Sequence, residues 1–221
     1  MTGDAASAAR LPLPQRTASA RLVVVARARD AQDYDRVLGA LVESGIRSVE
    51  LTLTTPGTIE RLAGIVARFG ADADIGVGTV TDEDQLRAAI AGGARYIVTP
   101  ITDARLVATS AALGVPIVPG GLTPTELHAS WRAGASAVKV FPASQVSSAY
   151  VSDLRGPFPG IEVVPSGGVD LAGASEWLRA GAAAVSVGGP LLGDAFRGGD
   201  LDALRERAVA FADACSRGGV A

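Results

Sequence analysis

Short runs of β-branched and other apolar residues recur along the chain, each followed by turn residues and then a helix-like stretch rich in Ala, Leu, Arg and Glu. The runs begin at Leu22 (LVVVA), Ser48 (SVELTL), Asp74 (DIGVGTV), Tyr96 (YIVTP), Pro116 (PIVPG), Ala137 (AVKVFP), Glu162 (EVVPSGG) and Ala184 (AVSVGG). Their starts lie between 20 and 26 residues apart. That spacing suits one strand, one loop and one helix per unit, and predicts parallel strands joined by helices.

A second periodicity supports the first. The segments VESGIRSVE, IAGGARYIV, AALGVPIVP, WRAGASAVK and LRAGAAAVS each place a glycine shortly before a strand run, where a helix must stop. Glycine takes the left-handed conformation there without a Cβ penalty. Eight such units in a chain of 221 residues predict an α/β fold of the (β/α)8 TIM-barrel type. A barrel of this kind carries its chemistry at the C-terminal ends of its strands. A doubly wound open sheet is the alternative, but the GxGxxG turn expected after its first strand is missing from VVVARARDAQDY. Residues 21–221 are read as a single barrel domain and residues 1–20 as an N-terminal lead-in. Arg10, Pro12, Pro14 and Arg16 interrupt that lead-in, so it lacks the unbroken apolar stretch of a secretory signal.

With 48% hydrophobic residues, the chain has the apolar content for a sizeable core, which excludes a disordered chain. The formal charge is -3 and the basic residues form no dense run, which argues against a nucleic-acid partner. No apolar run approaches the ~20 residues needed to span a bilayer, so no membrane partner is expected either. The single cysteine, Cys215, permits no internal disulfide, and the single histidine, His128, builds no multi-histidine metal centre. A reducing, cytoplasmic setting and a small-molecule substrate are the expectation, with no metal.

Lys139 is the chain's one lysine against 19 arginines. It sits within AVKVFP, flanked by Ala137, Val138, Val140 and Phe141, in a strand of the buried type. Burial disfavours the charged form of an amine, and a neutral amine is what attacks a carbonyl to form a Schiff base. A lysine that snorkels outward, or pairs with a buried carboxylate for structure alone, is the competing reading. Glu50 is its natural companion. Strand alternation in SVELTL sets Val49, Leu51 and Leu53 on one face and Ser48, Glu50, Thr52 and Thr54 on the other. The apolar face suits the helices, so Glu50 points inward, where it either shuttles protons or pairs with Arg27 or Lys139 for stability.

Arg27 and Arg29 close the first strand run at the expected barrel mouth, where an arginine fork would grip a carboxylate. Alternation places both on the same face and does not choose between them. Ser166, Gly167 and Gly168 close the seventh run, and Gly188 and Gly189 close the eighth. Loops at these two places often form the phosphate site of such barrels, although tight turns need glycine as well. His128, in PTELHASW, is assigned no chemistry, and Trp131, Trp177 and Phe211 read as packing between helices and barrel.

Taken together, SVELTLTTPG (48–57), IGVGTV (75–80), IVTP (97–100), VPGGLTPTE (118–126), AVKVFPAS (137–144), GPFP (156–159) and VPSGGV (164–169) resemble one family. It is that of the 2-keto-3-deoxy-6-phosphogluconate (KDPG) and 4-hydroxy-2-oxoglutarate (KHG) aldolases, with the 2-keto-3-deoxy-6-phosphogalactonate aldolases. The segments keep family order and spacing over residues 22 to 215. The resemblance implies a cofactor-free class I aldolase, an aldehyde-lyase of Entner–Doudoroff-like carbohydrate metabolism. Such an enzyme cleaves a 4-hydroxy-2-keto acid to pyruvate and an aldehyde.

In site residues, the resemblance implies Lys139 as the Schiff-base lysine and Glu50 as general acid/base. It further implies Thr79, Pro100 and Phe141 around the pyruvate, and Ser166, Gly167 and Gly168 toward the far end of the substrate. Family members are usually homotrimers.

Three departures bear on the substrate. Thr54 stands where many members carry the carboxylate-binding arginine, and Arg27 aligns with the first-strand arginine of members that lack it. Gly189 stands where phosphate-binding members often have serine. Ile101 replaces a smaller or polar residue beside the aldehyde side of the pocket. The rival expectations are a phosphosugar epimerase or isomerase barrel without a covalent amine, and a non-catalytic keto-acid-binding barrel.

Overall fold

A computed structural model describes residues 10–217, so residues 1–9 of the expected lead-in lie outside the described ones. The strand runs form nine strands: β1 (Leu22–Ala26), β2 (Ser48–Thr52), β3 (Asp74–Gly78), β4 (Ile97–Val98), β5 (Ile117–Val118), β6 (Gly120–Gly121), β7 (Val138–Val140), β8 (Val163–Pro165) and β9 (Val185–Val187). All pairings are parallel, as the repeated strand-loop-helix pattern predicts. One curled sheet has the order β5-β4-β3-β2-β1-β9 and a smaller one the order β6-β7-β8. The architecture is thus a curled parallel α/β sheet in two parts.

Nine strands arise from eight runs because Pro119 divides the fifth. Proline has no N–H to give to a ladder, so the run splits into β5 and β6 around it. The Pro119 carbonyl still accepts from the Lys139 amide at 2.8 Å.

Helices cover the outside of the sheets: α2 (Tyr34–Glu43), α3 (Thr58–Phe69), α4 (Glu83–Ala91), α5 (Ala104–Ala112), α6 (Pro124–Arg132), α7 (Tyr150–Arg155), α8 (Leu171–Arg179), the short α9 (Gly189–Leu192) and α10 (Leu201–Arg217). The helix-ending glycines take positive φ, 89° at Gly45, 95° at Gly93, 73° at Gly114, 105° at Gly134 and 100° at Gly181. Two apolar cores result. The larger lies between strands and helices and contains Val49, Leu51, Ile75 and Val77 with helix residues such as Leu38, Leu41 and Leu62. The smaller lies on the opposite face of the strands and gathers Val23, Tyr96, Val98, Val118, Ala137, Val164 and Ala184, with Leu13 packed against it. Strand alternation alone sorts residues between the two.

At the N-terminal ends of the strands, helix α1 (Gln15–Ala20) packs beneath the smaller core. Its Thr17 amide donates to Asp74 Oδ2 at 2.9 Å, and Thr17 Oγ1 lies 3.0 Å from the same oxygen and 2.8 Å from Ser48 Oγ. Ser48 Oγ in turn bonds the Tyr96 hydroxyl at 2.9 Å. Burial pushes the Tyr96 phenol well above its ordinary value, and the negative charges of Glu50 and Asp74 add to that shift, although the Ser48 hydrogen bond opposes it. The end of the sheet away from the cleft is therefore closed by a bonded polar network.

Trp177 and Phe211 are buried on α8 and α10. Trp131 lies under the Arg10 guanidinium, 3.3 Å from its ring centroid, and His128 stacks on Phe158 with centroids 4.1 Å apart. These contacts account for the helix aromatics and the histidine as packing groups.

Candidate active site

The C-terminal ends of the strands surround a cleft of ≈ 580 Å³. Apart from Arg29 and Ile101, the residues the sequence singled out for the site line it: Arg27 after β1, Glu50 on β2, Thr79 after β3, Pro100 after β4, Lys139 on β7, Phe141 after it, Ser166, Gly167 and Gly168 after β8, and Gly188 and Gly189 after β9. Residues distant in sequence converge because each parallel strand delivers its C-terminal end to one rim.

Lys139 is 7% exposed, and its Nζ stands 5.0 Å from the centroid of the Phe141 ring. Glu50 is 1% exposed, and its Oε2 is buried without a hydrogen-bond partner among the described residues. The amine and the carboxyl are not in ion-pair contact, their nearest nitrogen and oxygen lying beyond 4.0 Å. Nor does Arg27 pair with Glu50, so the stabilising ion pair weighed from sequence is not formed. An orphaned buried carboxylate oxygen costs about 1–3 kcal/mol or more, a penalty that structure tolerates where a substrate group completes the bonding.

Space for Glu50 comes from its neighbour strand. β2 and β3 pair with Glu50 opposite Gly76 and Thr52 opposite Gly78. A Cβ on Gly78 would overlap the Glu50 carboxyl, and one on Gly76 would overlap the Tyr96 ring. The glycines of IGVGTV thus make room for a carboxylate and a phenol inside the curl of the sheet. Thr79 follows with φ 62°, a left-handed conformation that is a genuine outlier for a β-branched residue. That strain turns the chain at the rim beside Glu50.

The structure separates the two arginines that alternation left equal. Arg27 lines the cleft and Arg29 does not. Thr54, also at the cleft, has its hydroxyl engaged with Thr52 Oγ1 at 3.2 Å. Ile101 is 43% exposed and is not among the lining residues, so the expectation that it shapes the aldehyde side is corrected. The turn after β4 explains this: Thr99 Oγ1 accepts from the Ile101 amide at 3.0 Å and donates to its carbonyl at 2.9 Å, holding Ile101 outward.

Two polar lining residues escaped the sequence reading. Arg197, in a 3-10 turn after α9, makes one side-chain hydrogen bond, to the Gly193 carbonyl at 3.4 Å, and has no carboxylate partner among the described residues. No motif marked it, since it follows the end of β9 by ten residues and arginine is common in this chain. Ser186, on β9, is 3% exposed and accepts from Ser166 Oγ at 3.3 Å. Its alternation with Ala184 and Gly188 was the only available signal.

An inward carboxylate and an amine with no hydrogen bond or ion pair among the described residues, at the floor of one cleft, suit imine chemistry on a small carbonyl compound, and known proteins decide which. A sequence profile described as "KDPG and KHG aldolase" matches residues 14–206. The chain belongs to that family. It is an aldehyde-lyase of class I, cleaving to pyruvate and an aldehyde. A probable 2-dehydro-3-deoxy-6-phosphogalactonate aldolase of Rhizobium meliloti is 30% identical over 202 residues, covering 91% of this chain and 93% of its own. A solved structure described as native KDPGal superposes with a TM-score of 0.82 at 29% identity, over 89% of this aldolase and 95% of that chain. The KDPG aldolase of Legionella pneumophila, with pyruvate captured as a covalent carbinolamine, superposes with a TM-score of 0.76 at 25% identity, over 91% and 95%.

Proposed function

We propose that this aldolase cleaves a phosphorylated 2-keto-3-deoxy sugar acid of the KDPG type through an imine on Lys139. The observation that carries the reading is the pairing of a buried, uncommitted amine with a buried, unpartnered carboxyl, held apart on one cleft floor. The neutral amine attacks the C2 ketone, and loss of water gives an iminium. Glu50 takes the proton of the C4 hydroxyl as the C3–C4 bond breaks, and the bonding pair passes into the iminium to leave an enamine. The aldehyde departs, the enamine is protonated at C3, and hydrolysis frees pyruvate and the lysine. The iminium serves as electron sink, so these steps draw on no added cofactor.

Arg27 anchors the keto-acid carboxylate, with Thr79, Pro100 and Phe141 around the three-carbon end. The backbone of Ser166–Gly168 and of Gly188 and Gly189 faces the distal end, where Arg197 supplies a cation on the side that lacks the serine hydroxyl. An acceptor with two anionic ends is what two unpaired arginines in one cleft favour.

The same reading takes the two sheets as one closed (β/α)8 barrel within residues 21–221, of which 218–221 lie outside the described residues. Hydrogen bonds across both seams support it: Ala183 N to Val163 O at 2.8 Å and the Ser166–Ser186 bridge at one, Ser136 N to Ile117 O at 2.9 Å at the other. The inner apolar cluster supports it too. Among the described residues no helix is long and apolar enough to cross a membrane. With one buried cysteine, the chain fits a cytoplasmic enzyme, and family habit fits a homotrimer.

Borohydride reduction in the presence of pyruvate, read by intact-mass and peptide mass spectrometry, tests the centre of this proposal. Wild type is expected to gain one reduced pyruvate at Lys139, and Lys139→Ala none. Glu50→Gln is expected still to be trapped while its cleavage rate falls by about 100-fold. A wild-type protein that turns over substrate yet is never trapped would return the site to the epimerase reading.

A further inference from the structure

Beneath the cleft lies a small void of ≈ 20 Å³, walled mainly by the inner apolar cluster. Three residues line both the cleft and the void: Glu50, Lys139 and Ser186. They form the partition between the two, at one depth within the curl of the sheet. Two of them have roles in the proposed chemistry. The third is a hydroxyl that no motif marked.

Ser186 is not an isolated hydroxyl. Its Oγ accepts from Ser166 Oγ at 3.3 Å, and both side chains are buried. The backbone fixes the pair, because Ser166 and Ser186 form the one isolated parallel bridge between the β8 loop and β9. Ser166 N in turn donates to Val140 O at 3.0 Å, which ties the pair to the strand of Lys139. Since Ser186 accepts from Ser166, its own proton is free to point elsewhere. No acceptor for it is found among the described residues, whereas the cleft floor adjoins it.

The Schiff-base chemistry has a need at that place. When the amine adds to C2, the carbonyl π pair moves onto the oxygen, and the developing negative charge requires a donor. Glu50 as a carboxylate offers only lone pairs. Thr79 and Arg27 line the cleft but not the void, so they stand above the partition.

We propose that Ser186, polarised through Ser166, is a third catalytic side chain, donating a hydrogen bond to the C2 oxygen of the keto acid during imine formation. This rests on the reading of Lys139 as the imine lysine. In the step, nitrogen bonds to C2, the π pair goes to oxygen, and the nitrogen's proton is passed to that oxygen to give the carbinolamine. In the next, Glu50 takes up a proton from solvent water and passes it on: the C2–O bond breaks, the oxygen leaves as water with that proton, Glu50 returns to the carboxylate, and the nitrogen lone pair forms the C=N bond. Ser186 holds the same oxygen through both steps and ends with the proton it began with. Two linked hydroxyls make a better donor than one, as each bond polarises the next.

The test is rapid-quench borohydride trapping with pyruvate, giving the rate of imine formation and, from its concentration dependence, the affinity of the initial complex. Ser186→Ala is expected to slow imine formation by about 10- to 100-fold, with initial pyruvate affinity within about twofold of wild type. Ser186→Cys, which keeps volume and a weak donor, is expected to fall between. Ser166→Ala is expected to slow the step less than Ser186→Ala, and the double variant to be no slower than Ser186→Ala alone, because the two act as one unit. Thermal melts establish that each variant folds. Imine formation in a folded Ser186→Ala within twofold of wild type would overturn the proposal, as would a double variant equal to the product of the singles. Absence of trapping in wild type would instead overturn the Lys139 reading beneath it.

Discussion

Gly78 shows how a residue with no side chain governs the placement of one in the cleft. The Glu50 carboxyl occupies the space a Cβ at position 78 would take. Gly78→Ala is therefore expected to displace the carboxyl and lower kcat by an order of magnitude or more, with pyruvate trapping on Lys139 preserved. Steady-state cleavage and trapping, measured on the same sample, check it. The arginines divide differently. Arg27→Ala is expected to weaken pyruvate inhibition, as its proposed hold on the carboxylate requires. Arg197→Ala is expected to raise KM for the phosphorylated keto acid by about 10-fold or more and to spare the unphosphorylated one, since a charged hydrogen bond is worth about 1.5–3 kcal/mol. Equal losses on both substrates would place Arg197 outside the distal site. Chemical type made Lys139 and Glu50 legible in the sequence, a lone amine and an inward carboxylate in apolar strands. Arg197 and Ser186 were not, because common residue types gain meaning only from what faces them.

Helix α1 shows how an element acts at a distance from the cleft. It carries Thr17 to the strand starts, where Asp74, Ser48 and Tyr96 are bonded to it or through it. Thr17→Val keeps the shape and removes the hydroxyl. It is expected to cost about 1–2 kcal/mol in stability, read from urea unfolding, since Asp74 and Ser48 lose a buried partner. The repeated units were legible from apolar runs and pre-strand glycines because both are local signals. Helix α1 was not, since QRTASA has little periodicity and its place is decided by a carboxylate over fifty residues away. The break between β5 and β6 belongs to this scale as well. Pro119 was visible in PIVPG, but its effect on the ladder depends on the partner strands.

At the scale of the whole molecule, burial predicts how stability responds to alkali. Cys215, buried on α10, has its thiol pushed up to about 11 from 9.0 by desolvation, and Tyr96 is held well above the ordinary phenol range. Both groups stay protonated in the folded chain at pH values where the unfolded chain ionises them, so the unfolded state binds fewer protons there. Stability is then expected to fall as pH rises from about 9 to 11, with Cys215 contributing through that window and Tyr96 above pH 10. Denaturant midpoints across pH 7 to 11 check it, and Cys215→Ala is expected to flatten the lower part of the decline. The thiol is likewise expected to resist alkylation at neutral pH until the protein is unfolded.

What the sequence by itself determined was the alternation of strands and helices, the face on which each strand residue points, and the family. These follow from periodicity, glycine placement and the order of short motifs, all readable along one line. Tertiary structure alone decided which arginine faces the cleft, that the carboxyl and amine share its floor without pairing, that Ser186 stands beside them, and that α1 closes the opposite end. Those facts depend on which strands become neighbours and on how far side chains reach across the space they enclose, and neither is a property of local sequence.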